Sequence, residues 1–527
     1  MARINTNVPS LVARANLAKS GAELQTRLQR LATGLRINRG GDDPAGLIIS
    51  ERLRSDIQGN DQGIKNSERA SSVIATTEAA LTEVSDLLNS IRSLIVEAAN
   101  TGANSAEERA ANQLQIDSAI DSITRISNTA SFGGLKLLNG SMDYSLSGLR
   151  TSAISKATVF GASFIGTDRL QVDVDVLASA QTAALYMRGD YTGSASAANG
   201  TVLSTLALRI AGARGVAEVT IISGSPLSKV VDAVNQVQQL TGIKARLINP
   251  LDATSGLVFH SIDYGSNQFV SVDRVNSPAN PNLSPFATYQ IDNNAAVPSF
   301  GPPFPWSTML SSSALTIANR DVGRDVSALI NGTLATGDGL SISMNTPVLS
   351  LTLLLAEALA TDPEASVSSF DITGGGALFQ LGPQVNAQQQ TNIGIQSVAA
   401  SNLGGVVIDG VQQFLSSLKS GQGNSIAESA RRRDYSTASS ILDAAIDEVA
   451  IIRGRLGAFE KNVLQTNVRS LQAAFENLSA SDSKIRDADF AAETSALTRA
   501  QILQAAGTTV LGLANQSSQQ VLSLLGG

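Results

Sequence analysis

AQILQAAGTTVLGLANQSSQQVLSLLGG, residues 500–527, decides the fold, because the stretch contains no charged side chain. Leu503, Ala506, Val510 and Leu513 recur at alternating spacings of three and four, and Val521 and Leu524 continue the apolar face. That spacing predicts a helix that buries a seam. A lone helix of this kind is marginal in water and must be covered by partners. Gln501, Gln504, Asn515, Gln516, Gln519 and Gln520 are interspersed along it. They argue against lipid and for a protein interior with hydrogen bonds between helices.

Upstream, Leu442, Ala445, Val449, Ile452, Leu456, Phe459 and Val463 run in coiled-coil register. The N-terminus answers with Leu17, Gly21, Leu24, Leu28, Leu31 and Leu35 on one helical face. Gly40 to Gly46 then interrupt the pattern, with Asp43 as N-cap and Pro44 as first helical residue, where its missing N–H costs nothing. The next helix is expected from Pro44 to Ala99, with Ile57, Ile64, Ile74, Leu81, Leu88, Ile91 and Ile95 on one stripe. At that length it is a rod of roughly 80 Å, too long to wrap inside one globular core. A third helix carries Ile116, Ile120 and Ile123. Long amphipathic helices at both ends point to a bundle that also packs against copies of itself, and so to assembly rather than catalysis.

Composition narrows the function classes. The chain of 527 residues is long enough for several domains. A net charge of −7 with 16% charged residues supplies no basic surface for nucleic acid. The absence of cysteine removes disulfides, thiolate metal sites and a cysteine nucleophile. The N-terminus has no basic segment followed by an apolar core, and runs such as Leu351 to Ala360 are far short of the roughly 20 residues of a membrane helix. No membrane partner is expected. The one histidine, His260, reads as an exposed or edge-strand residue in LVFHSI. Asp42, Asp43, Asp487 and Asp489 read as helix caps rather than catalytic carboxylates. Arg431-Arg432-Arg433 reads as a solvated patch, and Gly374-Gly375-Gly376 as a turn with no phosphate-binding lysine after it. No catalytic residue, metal or cofactor is assigned.

The middle of the chain changes to short strands and turns. Between Leu203 and Val275 a compact unit is expected: alternating Leu206, Leu208 and Ile210, then Val219 and Ile221, a helix from Ser225 to Leu240, then strands holding Leu257, Phe259, Val270 and Val272. Seven of the fourteen prolines fall between Pro278 and Pro305 and mark an extended connector. Strand-like text resumes from Leu315 to Phe370.

LATGLRINRGGDDPAGLIISERLRSDI (31–57) and RDADFAAETSALTRAQILQAAGTTVLGLANQSSQQVLSLLGG (486–527) resemble the two signature ends of bacterial flagellin. LSKVVDAVNQ, TGIKA and SIDYGSNQFVSV resemble the repeat domain inserted in flagellins and hook-associated proteins, and imply a ββαββ module over 203–275. The resemblance implies an α+β multidomain chain. Residues 1–42 and 485–527 would form a terminal coiled-coil core domain, and 43–140 with 384–484 a helical rod. Residues 141–277 would form an outer α+β domain and 278–383 a second, mostly β region. Filament-core packing would fall to Leu17, Leu24, Leu28, Leu31, Leu503, Val510, Leu513, Val521 and Leu524. Rod packing would fall to Leu81, Leu88, Ile91, Ile95, Leu442, Val449, Ile452, Leu456 and Phe459. The resemblance also implies self-polymerisation, export unfolded with a chaperone, assembly under a filament cap, and O-glycans on the Ser- and Thr-rich outer segment. Rival readings are a hook–filament junction protein and a secreted coiled-coil adhesin or effector.

In relatives, the innate-immune flagellin receptor recognises a patch matching residues 88–100, where Arg92 and Leu94 fit the pattern. Ser90 and Leu114 stand where an arginine and a glutamate are usual, and serine cannot reproduce a guanidinium fork. Weak or absent signalling is therefore expected in a receptor reporter assay. Strong signalling by monomer at nanomolar dose would contradict it.

Overall fold

The computed structural model describes residues 6–164, 167–188, 200–202, 205–251, 255–276, 287–291, 304–362, 367–408 and 411–525. Most of the expected proline-rich connector, 278–305, lies outside them. The principal helices are α1 (Val8–Thr33), α2 (Pro44–Ala99), α3 (Ala106–Thr129), α4 (Leu227–Gln236), α5 (Ser436–Phe459), α6 (Gln465–Arg486) and α7 (Phe490–Leu525). The chain is α+β, with long helices from both termini and a mostly β middle. It divides into two compact units. One comprises Met1–Val73, Phe379–Thr391 and Gly457–Gly527, the other Ile74–Leu378 and Asn392–Leu456. The divisions fall inside α2 and α5 rather than at the helix break near residue 42.

In the first unit, polar groups set the helix ends. Asn7 caps α1 through Oδ1, which accepts from Ser10 N–H at 3.0 Å, and Gly34 ends it in the left-handed region at φ 71°. Asp42 Oδ2 accepts from the N–H groups of Asn38 and Arg39 at 3.0 and 2.9 Å. Asp43 Oδ1 accepts from Gly46 N–H at 2.9 Å and opens α2. Asp489 does the same for α7, accepting from Ala491 and Ala492. The first part of α2 meets α6 through polar contacts. Ser50 Oγ donates to Asp482 at 2.5 Å, and Asn467 Nδ2 donates to Ser67 Oγ and to the Leu381 carbonyl at 3.1 and 3.0 Å. Gly59 and Gly63, one turn apart on α2, admit the 379–391 loop. A Cβ at either would lie 2.7 Å from Pro383 Cβ or 2.8 Å from the Leu381 carbonyl.

The heptad reading of the C-terminal helices needs one correction. Between α5 and α6, Glu460–Leu464 forms a π-helical turn. Leu464 is fully buried, whereas the expected Val463 is only half-buried. Leu442, Val449 and Leu456 are spaced by seven, as are Leu464, Leu471 and Leu478, but Leu456 and Leu464 are eight apart. The π turn absorbs this one extra residue, and Leu442, Val449, Leu456, Leu464 and Leu471 are each buried. Phe459, at the end of α5, is half-buried and lies beside Phe379, with ring centroids 6.2 Å apart.

In the second unit, Leu81, Leu88, Ile91 and Ile95 of α2, Ile116, Ile120 and Ile123 of α3, and Leu442, Val449, Ile452 and Leu456 of α5 are all buried. Ser105 and Glu108 close a capping box at the start of α3. Gln113 fastens α3 by accepting from Ile426 N–H at 2.7 Å and donating to the Leu418 carbonyl at 2.9 Å.

The outer modules are nested rather than consecutive, which corrects the expected division into 141–277 and 278–383. In one module, strand Leu170–Ala178 pairs with Ser327–Ile330 and Ser368–Gly375, and Leu349–Leu355 pairs with Ile154–Ala162. Two sheets thus close on a core that joins Val172, Val174 and Val176 to Ile342, Leu351 and Phe370. The other module occupies the interval. Its expected ββαββ plan also changes. Leu206–Gly212, Gly215–Ile221 and Phe269–Arg274 share one sheet with Arg320–Val322. Ile243–Leu247, which the sequence reading did not resolve, and Leu257–Ser261 belong to a second sheet with Ala184–Met187. Helix α4 packs Leu227, Val230 and Val234 into the core between them. Local alternation reveals a strand but not the strand it pairs with, and here partners lie far apart in sequence.

His260 is on neither an edge nor an open face. Its strand pairs on both sides, and burial, assisted by Arg246 and Lys244, lowers the imidazole to about 4. Close approach also accounts for Gly375: a Cβ there would lie 2.9 Å from Tyr144 Cα, at φ 95°.

Deleting Ala458 should bring Leu456 and Leu464 into a seven-residue spacing and remove the π turn. Amide hydrogen exchange over residues 460–464 should slow as the α-helical ladder resumes. Unchanged exchange there would show that the turn has another cause.

Candidate assembly interface

Helices α1 and α7 pair antiparallel. Asn7 Nδ2 donates to the Ala514 carbonyl at 2.9 Å, and Ser10 Oγ donates to Asn515 Oδ1 at 2.8 Å. Leu17 seats over Gly507, where an added Cβ would lie 3.2 Å from Leu17 Cδ1. Arg27 Nη1 reaches both oxygens of Glu493 at 3.0 and 2.9 Å, and Arg30 Nη1 adds a contact at 3.2 Å. At the base, Arg36 N–H donates to the Arg486 carbonyl at 2.7 Å and Ala488 N–H to the Gly34 carbonyl at 2.9 Å.

The face of α7 turned to α1 is not the seam expected from its apolar spacing. Ala500 is 3% exposed, and Gln504, Gly507, Leu511 and Ala514 are half-buried. Leu503, Val510 and Leu513 are 46, 53 and 60% exposed. Ala500, Gly507 and Ala514, spaced by seven, keep one row of this face small and let the backbones approach closely, while Leu503, Val510 and Leu513 are left outside. On α1, Leu17, Leu24 and Leu31 are half-buried, while Leu28 is exposed. The side chains of Val521 and Leu524 lie outside the described residues. The pair therefore carries two apolar faces, an inner one of leucines on small residues and an open one. An open apolar face of this extent marks an interaction surface.

The rod residues Leu81, Leu88, Ile91, Ile95, Leu442, Val449, Ile452 and Leu456 are buried. Of the two receptor-patch equivalents, Arg92 is exposed and paired with Asp443 at 3.3 Å, whereas Leu94 is buried at 8%. Leu114 is exposed. Sequence reading missed Arg27, Arg30 and Glu493. The available signal was that Glu493 is the single acidic residue between Phe490 and Leu525. Among the described residues, no group of acidic or histidine side chains could hold a metal ion, and no helix is long and apolar enough to cross a membrane.

Residues 4–143 match the family model of the bacterial flagellin N-terminal helical region, and 439–525 that of the bacterial flagellin C-terminal helical region. The chain is 30% identical over 535 residues to the B-type flagellin of Pseudomonas aeruginosa, and 29% identical over 529 residues to a flagellin of Salmonella typhimurium. Polar flagellin F of Vibrio parahaemolyticus is 26% identical over 524 residues. Each alignment covers 99% of both chains.

The charge cluster makes the α1–α7 pair sensitive to acid. Burial by itself raises the Glu493 carboxyl, but the hydrogen bonds and charges of Arg27 and Arg30 outweigh it and hold the group below the ordinary glutamate range. A carboxyl lowered in the folded state stabilises fully above its unfolded value, and that contribution is lost as pH falls through the lowered value. Glu493→Gln should therefore lower the melting temperature of the assembled protein near neutral pH. The difference from wild type should shrink as pH falls through the lowered Glu493 value and vanish below it. Circular dichroism melts across that range check this, and a gap that persists in acid would contradict it.

Proposed function

This chain belongs to the bacterial flagellin family and is a structural subunit of the flagellar filament; on that premise we propose how its terminal helices build the polymer. The observation that carries the reading is the open apolar face of the α1–α7 pair, where Leu28, Leu503, Val510 and Leu513 remain exposed in the single subunit. In the filament these side chains pack against neighbouring copies, and Leu17, Leu24 and Leu31 hold the two helices of one copy together. An uncharged helix from Ala500 onward suits this position, since any charge there would be desolvated by assembly. A surface repeated identically on every copy, and complementary to a different surface on the next, propagates as an open helical polymer.

The helical base, 1–140 with 384–527, acts as the assembling part. Export unfolded through the flagellar secretion channel, escort by a chaperone, assembly under a filament cap, an extracellular location and O-glycans on the outer segment belong to the same reading. Flagellin is a structural family, and the subunit works without catalysis, its output being the polymer.

Leu513→Asp separates folding from assembly. The site is 60% exposed in the subunit, so the secondary structure and the melting of the outer modules should match wild type. Burying the new charge between copies should cost several kcal/mol per subunit, on the order of 3 to 5. Seeded polymerisation followed by electron microscopy should give long filaments from wild type and almost none from the variant. Normal filaments from Leu513→Asp would overturn the assignment of this face.

A further inference from the structure

The inner seam of the α1–α7 pair repeats without distinguishing the observed register from one of its neighbours. Leu17, Leu24 and Leu31 recur every seven residues on α1, and so do Ala500, Gly507 and Ala514 on α7. In the slip that carries Glu493 past Thr33, Leu17, Leu24 and Leu31 come to lie over Ala514, Gly507 and Ala500, so the leucine packing alone does not exclude that alignment; in the opposite slip only Leu17 meets a small residue, Ala500. The first member of the small-residue row breaks the repeat. Seven residues before Ala500 stands Glu493, which is 7% exposed and held by Arg27 and Arg30.

We propose that Glu493 is the positioning residue that fixes the register of the terminal helix pair, with Arg27 and Arg30 as its readers. This rests on the filament reading above and names the residue that aligns the pair for assembly. A seven-residue slip in one direction brings Glu493 to the level of Ser20 and Glu23, a hydroxyl and a like charge. In the other direction it carries Glu493 past Thr33, where α1 ends. Either slip takes the Glu493 carboxylate away from Arg27 and Arg30, and breaking a buried pair in this way is costly. No other carboxylate on α7 can substitute, since its only other charged residue is Arg499; Asn7 and Ser10 bond Ala514 and Asn515 in the same register. The main-chain bonds at Gly34–Ala488 and Arg36–Arg486 agree with the same register. They involve backbone groups that any side chain permits, and so compete with Glu493 as the cause.

The chain has no cysteine, so disulfide mapping can decide between the two. Ser10→Cys with Asn515→Cys reports the observed register, in which these side chains touch at 2.8 Å. Ser10→Cys with Thr508→Cys reports a slip of seven in one direction, and Ser10→Cys with Leu522→Cys a slip of seven in the other. Each pair is placed in the wild-type background and in Glu493→Gln, grown into filaments from seeds, oxidised, and scored for intrachain disulfides by peptide mapping. The wild-type background should give the 10–515 bond alone. Glu493→Gln should raise the 10–508 or the 10–522 bond by about tenfold or more, and Arg27→Glu with Arg30→Glu and Glu493→Arg should restore the single register. A Glu493→Gln chain that keeps only the 10–515 bond overturns the proposal in favour of the main-chain bonds. If Glu493→Gln does not polymerise, the same bonds scored on the soluble subunit decide by the same criterion. Failure of the wild-type chain to form filaments would count against the filament reading, and the soluble-subunit bonds would still score the register.

Discussion

The close antiparallel approach of α1 and α7 is the constraint on which the assembling end of this protein depends. Gly507 lies directly under Leu17, and Ala500 is nearly inaccessible. With Ala500, Gly507 and Ala514 as the small row of α7, the bulky Leu503, Val510 and Leu513 face outward, and Leu511 is half-buried beside that row. One choice of residue size therefore does two things: it makes a tight intrachain pair and it prepares the surface for the next copy. Leucines on the inner row would have buried more apolar area within the chain, but they would have forced the helices apart and left less for neighbours.

Polar groups are placed where apolar packing is ambiguous. The upper α1–α7 contact is tied by Asn7 and Ser10, the lower by Arg27, Arg30 and Glu493. The α2–α6 contact in the same unit uses Ser50, Ser67, Asn467 and Asp482. Long helices with repeating seams have many near-equivalent alignments, and a buried hydrogen bond or ion pair penalises all but one. The π turn at Glu460–Leu464 belongs to the same theme, since it reconciles two seven-residue runs that are out of step by one.

The outer part follows different rules. There the cores are joined by strands distant in sequence, such as Ile154–Ala162 with Leu349–Leu355. One module is inserted within another, so that a single pass of alternating residues contributes to two sheets. Such modules can vary in size without touching the helical base, because their entry and exit lie close together in the same sheets at Tyr144–Ser147 and Ser368–Gly375.

Much of the helical base was legible in the sequence. The break at Asp43-Pro44, the run of α2 to Ala99, the rod stripe and the uncharged tail all follow from spacing, capping chemistry and charge, which are local properties of the chain. The sequence by itself determined that the two ends are helical and that the last helix needs partners. The tertiary structure alone decided which face of α7 meets α1, that Glu493 is buried between two arginines, that His260 lies inside a sheet, and that the outer modules are nested. Periodicity identifies an apolar stripe without naming its partner. Where two stripes compete on one helix, residue size and long-range pairing settle the choice, and neither can be read from spacing.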